Sequence, residues 1–208
     1  MDKWEKTWFS IDGRLEKIKF DGPSYFRFPQ KLAEIVISKY SNNGEWVFDP
    51  FCGFGTTLAA AKKLGRRSIG FEIDSKMANF ARNRNDGVLI QDSIDNISKH
   101  KLPQFDLLFT SPPYISLRNS NIMRDKNYIK DIQRIFRKIK HYMKKDSYII
   151  IEIANLAMGK EFRTQAWDVG LALSKIFKLE GEVIRADTSD INVGGNQNHS
   201  YLLVFRNS

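Results

Sequence analysis

Trp46-Val-Phe-Asp-Pro-Phe-Cys-Gly-Phe-Gly-Thr-Thr57 runs an apolar strand into a glycine turn, and the chain continues as Leu58-Ala-Ala-Ala-Lys-Lys-Leu64, rich in strong helix formers. A strand, a glycine turn and a helix in this order form the unit from which parallel sheets are built, with the turn as a ligand loop at the strand's carboxyl end. Gly53 and Gly55 permit close backbone approach and unusual φ values. Thr56 and Thr57 bring hydroxyls and N–H groups to a helix N-terminus, where a carboxylate is favoured. Asp49 closes the strand in position to accept from a ligand's ammonium group, and Phe51 and Cys52 belong to the same loop.

A dinucleotide fingerprint needs a third glycine, but Leu58 holds that place, which disfavours NAD and FAD. The downstream acid is nevertheless present. Arg67-Ser-Ile-Gly-Phe-Glu72 reads as a second strand whose Glu72 stands 19 residues after Gly53, followed by Ile73. That is close to the spacing of ~20 for a ribose-binding carboxylate. A third strand, Val88-Leu-Ile-Gln91, leads to Asp92, which is placed to accept from an adenine amino group, and Ser93. Together these residues describe a pocket for a nucleoside with an amino-acid tail.

Further along, helical and strand patterns alternate. Helices are expected over 29–40, 56–64, 75–85, 126–143 and 162–178, and strands over 46–49, 68–72, 88–91, 105–110, 147–153, 180–186 and 200–206. This alternation predicts an α/β fold, a mainly parallel sheet with helices on both faces and ligands at the strands' carboxyl ends. In the helix after residue 126, Ile132, Ile135, Phe136 and Ile139 form the apolar face, and its basic residues are read as a solvated face or as phosphate contacts.

The strand Phe105-Asp-Leu-Leu-Phe-Thr110 ends in Ser111-Pro112-Pro113-Tyr114. An exocyclic amine on a nucleobase is a poor nucleophile, because its lone pair is delocalised into the ring. A catalyst must hold the amine with acceptors and present the lone pair to an electrophile. Two successive prolines fix φ and remove N–H donors, so the carbonyls of Ser111 and Pro112 are held toward an incoming N–H. The Ser111 hydroxyl adds an acceptor, and Tyr114 offers a face for a base taken out of its stack. The tetrapeptide in isolation reads equally as a strand ending in a turn.

Asp49-Pro-Phe-Cys-Gly-Phe-Gly-Thr-Thr57, Gly70-Phe-Glu-Ile73 and Thr110-Ser-Pro-Pro-Tyr114 together resemble the motifs of S-adenosylmethionine-dependent amino-methyltransferases acting on DNA, and the Ser-Pro-Pro-Tyr form is most similar to the N4-cytosine branch. Phe28-Pro29 before a helix resembles that family's cofactor-covering motif, and His199-Ser-Tyr-Leu-Leu-Val-Phe-Arg206 its last strand. The resemblance implies a Rossmann-like class I methyltransferase fold, with a seven-stranded, mostly parallel sheet whose last strand is antiparallel. It implies S-adenosyl-L-methionine as cofactor along residues 49–57, its ribose on Glu72 and its adenine near Asp92. The implied reaction is methylation of cytosine N4 in DNA, with adenine N6 or an RNA base as alternatives. Two features depart from the family: Phe54 replaces a small polar residue, and no separate target-recognition region is visible, so residues 1–208 are expected to form one catalytic domain. Specificity then comes from a few loops, a homodimer or a specificity subunit. Arg118, Asn119, Asn121, Arg124 and Lys126, directly after the proline turn, are the candidate nucleic-acid contacts or a polar surface loop.

The chain has 208 residues, 42% of them hydrophobic, and a formal charge of +9, which agrees with a polyanionic partner. No run approaches the ~18 apolar residues of a membrane span, and no secretory signal is visible, so a cytoplasmic protein, nucleoid-associated in a prokaryote, is expected. One cysteine, Cys52, rules out an internal disulfide framework and reads as a packing residue. His100, His141 and His199 lack metal-ligand spacing, so no metal is expected and each reads as a surface or helix-end residue. Trp4, Trp8 and Phe9 read as a core or cap cluster or as a base-stacking platform, and residues 188–200 as a strand connector or a cover over substrate.

Overall fold

A computed structural model describes residues 4–20, 27–84, 87–113, 127–158, 160–189 and 198–208. In chain order the elements are β1 (Trp8–Ile11), α1 (Gln30–Tyr40), β2 (Trp46–Asp49), α2 (Thr56–Lys63), β3 (Arg67–Phe71), α3 (Ser75–Arg84), β4 (Val88–Ile90) and a 3-10 turn (Ile94–Lys99). There follow β5 (Phe105–Thr110), α4 (Tyr128–Lys140), β6 (Met143–Ile153), β7 (Leu156–Met158), β8 (Glu161–Arg163), α5 (Gln165–Leu173), β9 (Lys178–Asp187) and β10 (His199–Arg206).

Eight strands form one sheet in the order β1-β9-β10-β6-β5-β2-β3-β4, and β7 and β8 form a separate hairpin. β10 runs antiparallel to both β6 and β9, and the other neighbouring pairs are parallel. The seven expected strands are all present. β1 is the eighth, pairing with β9 from Trp8↔Ile184 to Ile11↔Asp187.

Two apolar layers sandwich the sheet, because the central strands bury both sides of their pleat. On one face Leu107, Phe109 and Ile150 pack against Leu32, Val36 and Ile37 of α1 and Ala60 and Ala61 of α2. On the other, Phe48, Leu108, Ile149 and Ile151 meet Ile132, Ile135, Phe136 and Ile139 of α4, together with Ala166 and Val169 of α5. Full burial of each such Ile or Phe stabilises the fold by roughly 1.5–3 kcal/mol. The rings of Phe48 and Phe105 stack at 4.3 Å across β2 and β5, which locks these two strands side by side.

Several boundaries differ from the sequence reading. The last long helix is α5 (Gln165–Leu173), shorter than 162–178, because Phe162 belongs to the hairpin and Lys178 opens β9. β6 begins at Met143, where the sequence pattern ends a helix. Trp8 is 55% exposed and is not core. Trp4 does cap the sheet: it stacks on Phe9 at 4.9 Å, and its indole N–H donates to the Tyr40 hydroxyl at 2.8 Å. No helix among the described residues is long and apolar enough to cross a membrane.

Gly70 is where β3 passes closest to the glycine turn. A Cβ there would lie 2.8 Å from Cys52 Cβ, 2.9 Å from Cys52 Sγ and 3.0 Å from Leu58 Cδ1. Gly70→Ala is therefore expected to lower the free energy of unfolding by about 1–3 kcal/mol in urea titrations. An unchanged midpoint would show that the loop yields freely.

Candidate active site

The carboxyl ends of β2 and β5 meet at Asp49. Its Oδ2 accepts from the Thr57 hydroxyl at 2.5 Å, and its Oδ1 accepts from the Thr110 hydroxyl at 2.6 Å and from the Phe51 amide at 3.1 Å. The carboxylate is almost fully buried, and burial raises its pKa from 3.8 to about 6, although the hydrogen bonds from Thr110, Thr57 and Phe51 favour the ionised form. One side chain thus ties the helix after the glycine turn to the residue that precedes Ser111. The Thr57 hydroxyl, expected to face a ligand, is turned inward to make this tie.

The turn itself is tight. Gly53 and Gly55 have φ of +50° and +77°, and Gly55 caps α2 in the left-handed region. The Cys52 amide donates to the Phe71 carbonyl at 2.9 Å, and the Gly55 amide to the Cys52 carbonyl at 2.8 Å. Thr56 is buried, as is Cys52, whose thiol burial holds well above its usual pKa and which packs with Leu58, Ala78 and Leu89. Phe54 is also buried, edge-on to Phe80 at 5.5 Å and to Phe20 at 4.9 Å.

Glu72, just beyond β3, points back at this turn. Its Oε2 accepts from the Gly53 amide at 2.9 Å and its Oε1 from the Asp74 amide at 2.8 Å. Burial raises its pKa against those two hydrogen bonds. Each oxygen retains a lone pair for a ligand hydroxyl. Ile73 beside it is 52% exposed, an apolar side chain left open at the ligand edge. Asp92 is occupied locally: its Oδ1 accepts from the Ser93 amide at 2.7 Å and from Asn96 Nδ2 at 2.8 Å, while its Oδ2 meets His100 Nε2 at 2.9 Å. The hydrogen bonds from Asn96 and His100 hold its pKa below the usual carboxylate value. Ser93 caps the 3-10 turn, accepting from the Asp95 amide at 3.3 Å.

Next to the glycine loop, β5 delivers half-buried Ser111, buried Pro112 and half-buried Pro113. Phe28 covers the strand behind them, its ring 4.9 Å from that of Phe109, and Pro29 sets the extended entry to α1. Tyr114, Arg118, Asn119, Asn121, Arg124 and Lys126 lie outside the described residues. Asp49, Phe51, Cys52, Gly53, Gly55, Thr56, Thr57, Glu72 and Ile73 are brought to the carboxyl ends of β2 and β3, and Asp92 and Ser93 follow the end of β4. Among the described residues no cluster of His, Cys, Asp and Glu could hold a metal ion.

Sequence reasoning missed Thr110 and His100. Thr110 reads as part of an apolar strand, and His100 as a helix-end residue without its Asp92 partner. Also missed is a buried polar group on β6, β9 and β10: Glu152, Arg185, Asp187 and Ser200. An isolated charge inside an otherwise apolar strand, as in Ile149-Ile-Ile-Glu-Ile153, is the signal that could have found it.

A parallel sheet with an antiparallel β10, and a ligand edge built from a glycine turn and a terminal acid on the next strand, define a class I methyltransferase fold. Solved structures with this fold agree. The chain superposes on a methyltransferase from Pyrococcus furiosus with a TM-score of 0.63 at 13% identity, covering 91% of this chain and 88% of that one. It also superposes on magnesium protoporphyrin IX methyltransferase from Synechocystis PCC 6803 with bound SAM, with a TM-score of 0.57 at 14% identity, covering 86% and 79% of the two chains. By sequence, residues 3–83 match the N6_N4_Mtase family, described as DNA methylase. Orphan methyltransferase M.BamHII of Bacillus amyloliquefaciens is 40% identical over 90 residues, 43% of this chain and 33% of that protein. Over these segments the chain is similar to DNA amino-methyltransferases. Its matched segments span about a third or less of the length of the curated relatives.

Asp49 holds its proton more tightly folded than unfolded, so between about pH 4 and pH 6 the native state binds more protons and this residue's contribution to stability falls as pH rises. Asp49→Asn removes that slope. The stability of the variant relative to the parent should therefore rise by on the order of 2–3 kcal/mol from pH 4 to pH 7 in denaturant titrations. Parallel curves for the two proteins would contradict the burial argument.

Proposed function

We propose that this chain is a DNA-base amino-methyltransferase unit, one catalytic domain over residues 1–208, that transfers a methyl group from S-adenosyl-L-methionine to an exocyclic amine, cytosine N4 before adenine N6. The observation that carries this reading is the Thr57–Asp49–Thr110 tie. It holds the glycine turn and the Ser111-Pro112-Pro113 turn at the ends of adjacent strands. Methyl donor and amine acceptor need that juxtaposition, because an in-line transfer depends on placing two reactants in a near-attack geometry.

The residues fit the cofactor. Glu72 has spare lone pairs for ribose hydroxyls, exposed Ile73 offers an apolar face to adenine, and the left-handed turn at Gly53 and Gly55 admits close backbone approach. Asp92 and Ser93 border the adenine edge. Asp49 shapes the loop from inside, with its oxygens on Thr57 and Thr110. When bound, the cofactor supplies an electrophilic methyl group on a sulfonium. Ser111 and the Pro112 carbonyl hold the amine, Tyr114 stacks on the flipped base, and Phe28 and Pro29 back the site. Arg118, Asn119, Asn121, Arg124 and Lys126 contact the DNA backbone, in keeping with the +9 charge of the chain. Target choice comes from these loops, a homodimer or a specificity subunit.

Incubation with labelled cofactor and separate DNA and RNA pools, followed by nucleoside mass spectrometry, tests this. N4-methylcytosine in DNA is the expected product, and N6-methyladenine in DNA would reassign the base. Methylation confined to RNA would overturn the DNA reading, and no product in either pool would overturn autonomous catalysis. Within an active protein, Ser111→Ala should lower turnover by roughly 10- to 100-fold with little change in cofactor affinity, since it removes one hydrogen bond to the reacting amine. Gly55→Val should chiefly weaken cofactor binding, because a β-branched residue resists a φ of +77°. Calorimetric titration separates the two, and equal affinity losses would contradict the assigned roles.

A further inference from the structure

Beside the amine-holding turn lies a buried charge cluster with one more carboxylate than cation. Arg185 of β9 stands 2.8 Å from Asp187 Oδ2 and 3.6 Å from Glu152 Oε1 on β6. All three side chains are 5% exposed or less. Asp187 is fully engaged: Oδ1 accepts from the Gly13 amide at 2.9 Å, the Ser189 amide at 2.9 Å and the Ser189 hydroxyl at 2.6 Å, and Oδ2 from Arg185. Burial acts to raise its pKa, but the hydrogen bonds from Ser189 and Gly13 and the Arg185 charge bring it below the usual value. Glu152 differs. At 3.6 Å its contact with Arg185 is longer than a hydrogen bond, and among the described residues its side chain has no other polar partner. Arg185 Nε and the Ser200 hydroxyl in the same cluster are buried without hydrogen-bond partners among the described residues.

The sheet register sets Glu152 against the catalytic turn. Thr110 of β5 pairs with Ile151 of β6, the last pair of that ladder, so Ser111 and Glu152 are each the next residue toward the ligand edge, on strands ~4.8 Å apart. Ile150 of β6 belongs to the layer containing Leu107 and Phe109, whereas Ile149, Ile151 and Ile153 belong to the opposite layer. Alternation puts Glu152 on the face of Phe109 and Phe28. A buried carboxylate that shares its cation with a second carboxylate is costly unless something further and positive arrives beside it. In the methyltransferase reading, the amine nitrogen held by Ser111 becomes positive as it is methylated.

Building on the methyltransferase reading, we propose that Glu152 is a catalytic residue that accepts the amine proton. The nitrogen lone pair forms the N–CH3 bond, and the S–CH3 bond of the sulfonium donor breaks with its electron pair going to sulfur. The proton released by the methylated nitrogen passes to Glu152, which then returns it to solvent. Arg185, held in place by Asp187, stands 3.6 Å from the carboxylate and orients it. General-base help of this kind contributes typically ~10²–10⁴-fold in rate.

Glu152→Gln keeps the shape and an acceptor oxygen but cannot take a proton. In single-turnover methyl transfer with saturating cofactor and DNA it should be slower by at least about 100-fold. Its cofactor affinity and melting temperature should stay near those of the parent, since Asp187 still neutralises Arg185. Glu152→Ala should regain part of the rate on addition of formate, which a purely structural role would not allow. Should Glu152→Gln melt below the assay temperature, Glu152→Asp, which keeps the charge opposite Arg185, replaces it and should still transfer slowly. An unchanged rate in the Gln or Asp variant, or no response of the Ala variant to formate, overturns the proposal.

A second readout is independent of turnover. Cytidine binding to the protein saturated with S-adenosylhomocysteine, followed by saturation-transfer NMR, should weaken in Glu152→Ala and persist in the parent. If the parent methylates nothing, the methyltransferase reading fails by itself. In that case cytidine binding insensitive to Glu152→Ala rejects the carboxylate's place beside the amine, and sensitive binding retains it.

Discussion

The buried carboxylate of Asp49 is the constraint from which the rest of the site follows. It has no cation beside it among its described contacts, and its charge is carried by two threonine hydroxyls and one amide. One hydroxyl comes from α2 and the other from the end of β5, so the position of the glycine turn is coupled to the register of the central strands. That register is held by the core: Val47 and Phe48 pair with Leu107 and Leu108, and Phe48 stacks on Phe105. A slip of one residue would turn every apolar side chain of β5 to the wrong layer and withdraw Thr110 from Asp49. Packing thus supplies the precision that the site's chemistry uses.

Charge is distributed unevenly across the molecule. The chain as a whole is strongly basic, yet its buried ligand edge gathers Asp49, Glu72, Glu152 and Asp187. Buried carboxylates are expensive in a low dielectric, and among the described residues each of these but Glu152 is met by hydrogen bonds. A cationic small ligand inside and a polyanion outside suit this arrangement better than the reverse. The sulfonium and ammonium groups of the proposed cofactor belong to the first description, and DNA to the second.

The parts of the fold that are legible in the sequence are those fixed by local pattern. Gly53 and Gly55 announce the turn because left-handed backbone there has few other occupants, and Ile132, Ile135, Phe136 and Ile139 announce α4 because their spacing matches a helix turn. Ser111-Pro112-Pro113 marks the end of β5 for a similar reason. What stays hidden depends on distance along the chain. Thr110 meets Asp49 across 61 residues, and Gly13 meets Asp187 across 174. β1 is only four residues long, and its pairing with β9 is a tertiary fact. The hairpin of β7 and β8 has strands of three residues each, too short to show a period, and the helix expected from residue 162 overlaps its second strand.

The N-terminal segment shows how these separate features become one structure. At Ile11 and Gly13 it is fastened to Asp187, on the side of the sheet where β9 lies. A Cβ at Gly13 would fall 1.5 Å from the Asp187 carboxylate, so the fastening requires glycine. Farther along, Glu16 pairs with Arg84 of α3 at 2.9 Å, and Phe20 sits edge-on to Phe54 and Phe80. The same few residues therefore reach from the Glu152 cluster to the glycine turn, spanning the ligand edge from β9 to α3. Phe54 in the turn is thereby held by packing: its ring receives Phe20 and anchors the far end of the segment. A small polar residue there would leave Phe20 and Phe80 without their shared partner, so the glycine turn and strand β1 are joined through one segment.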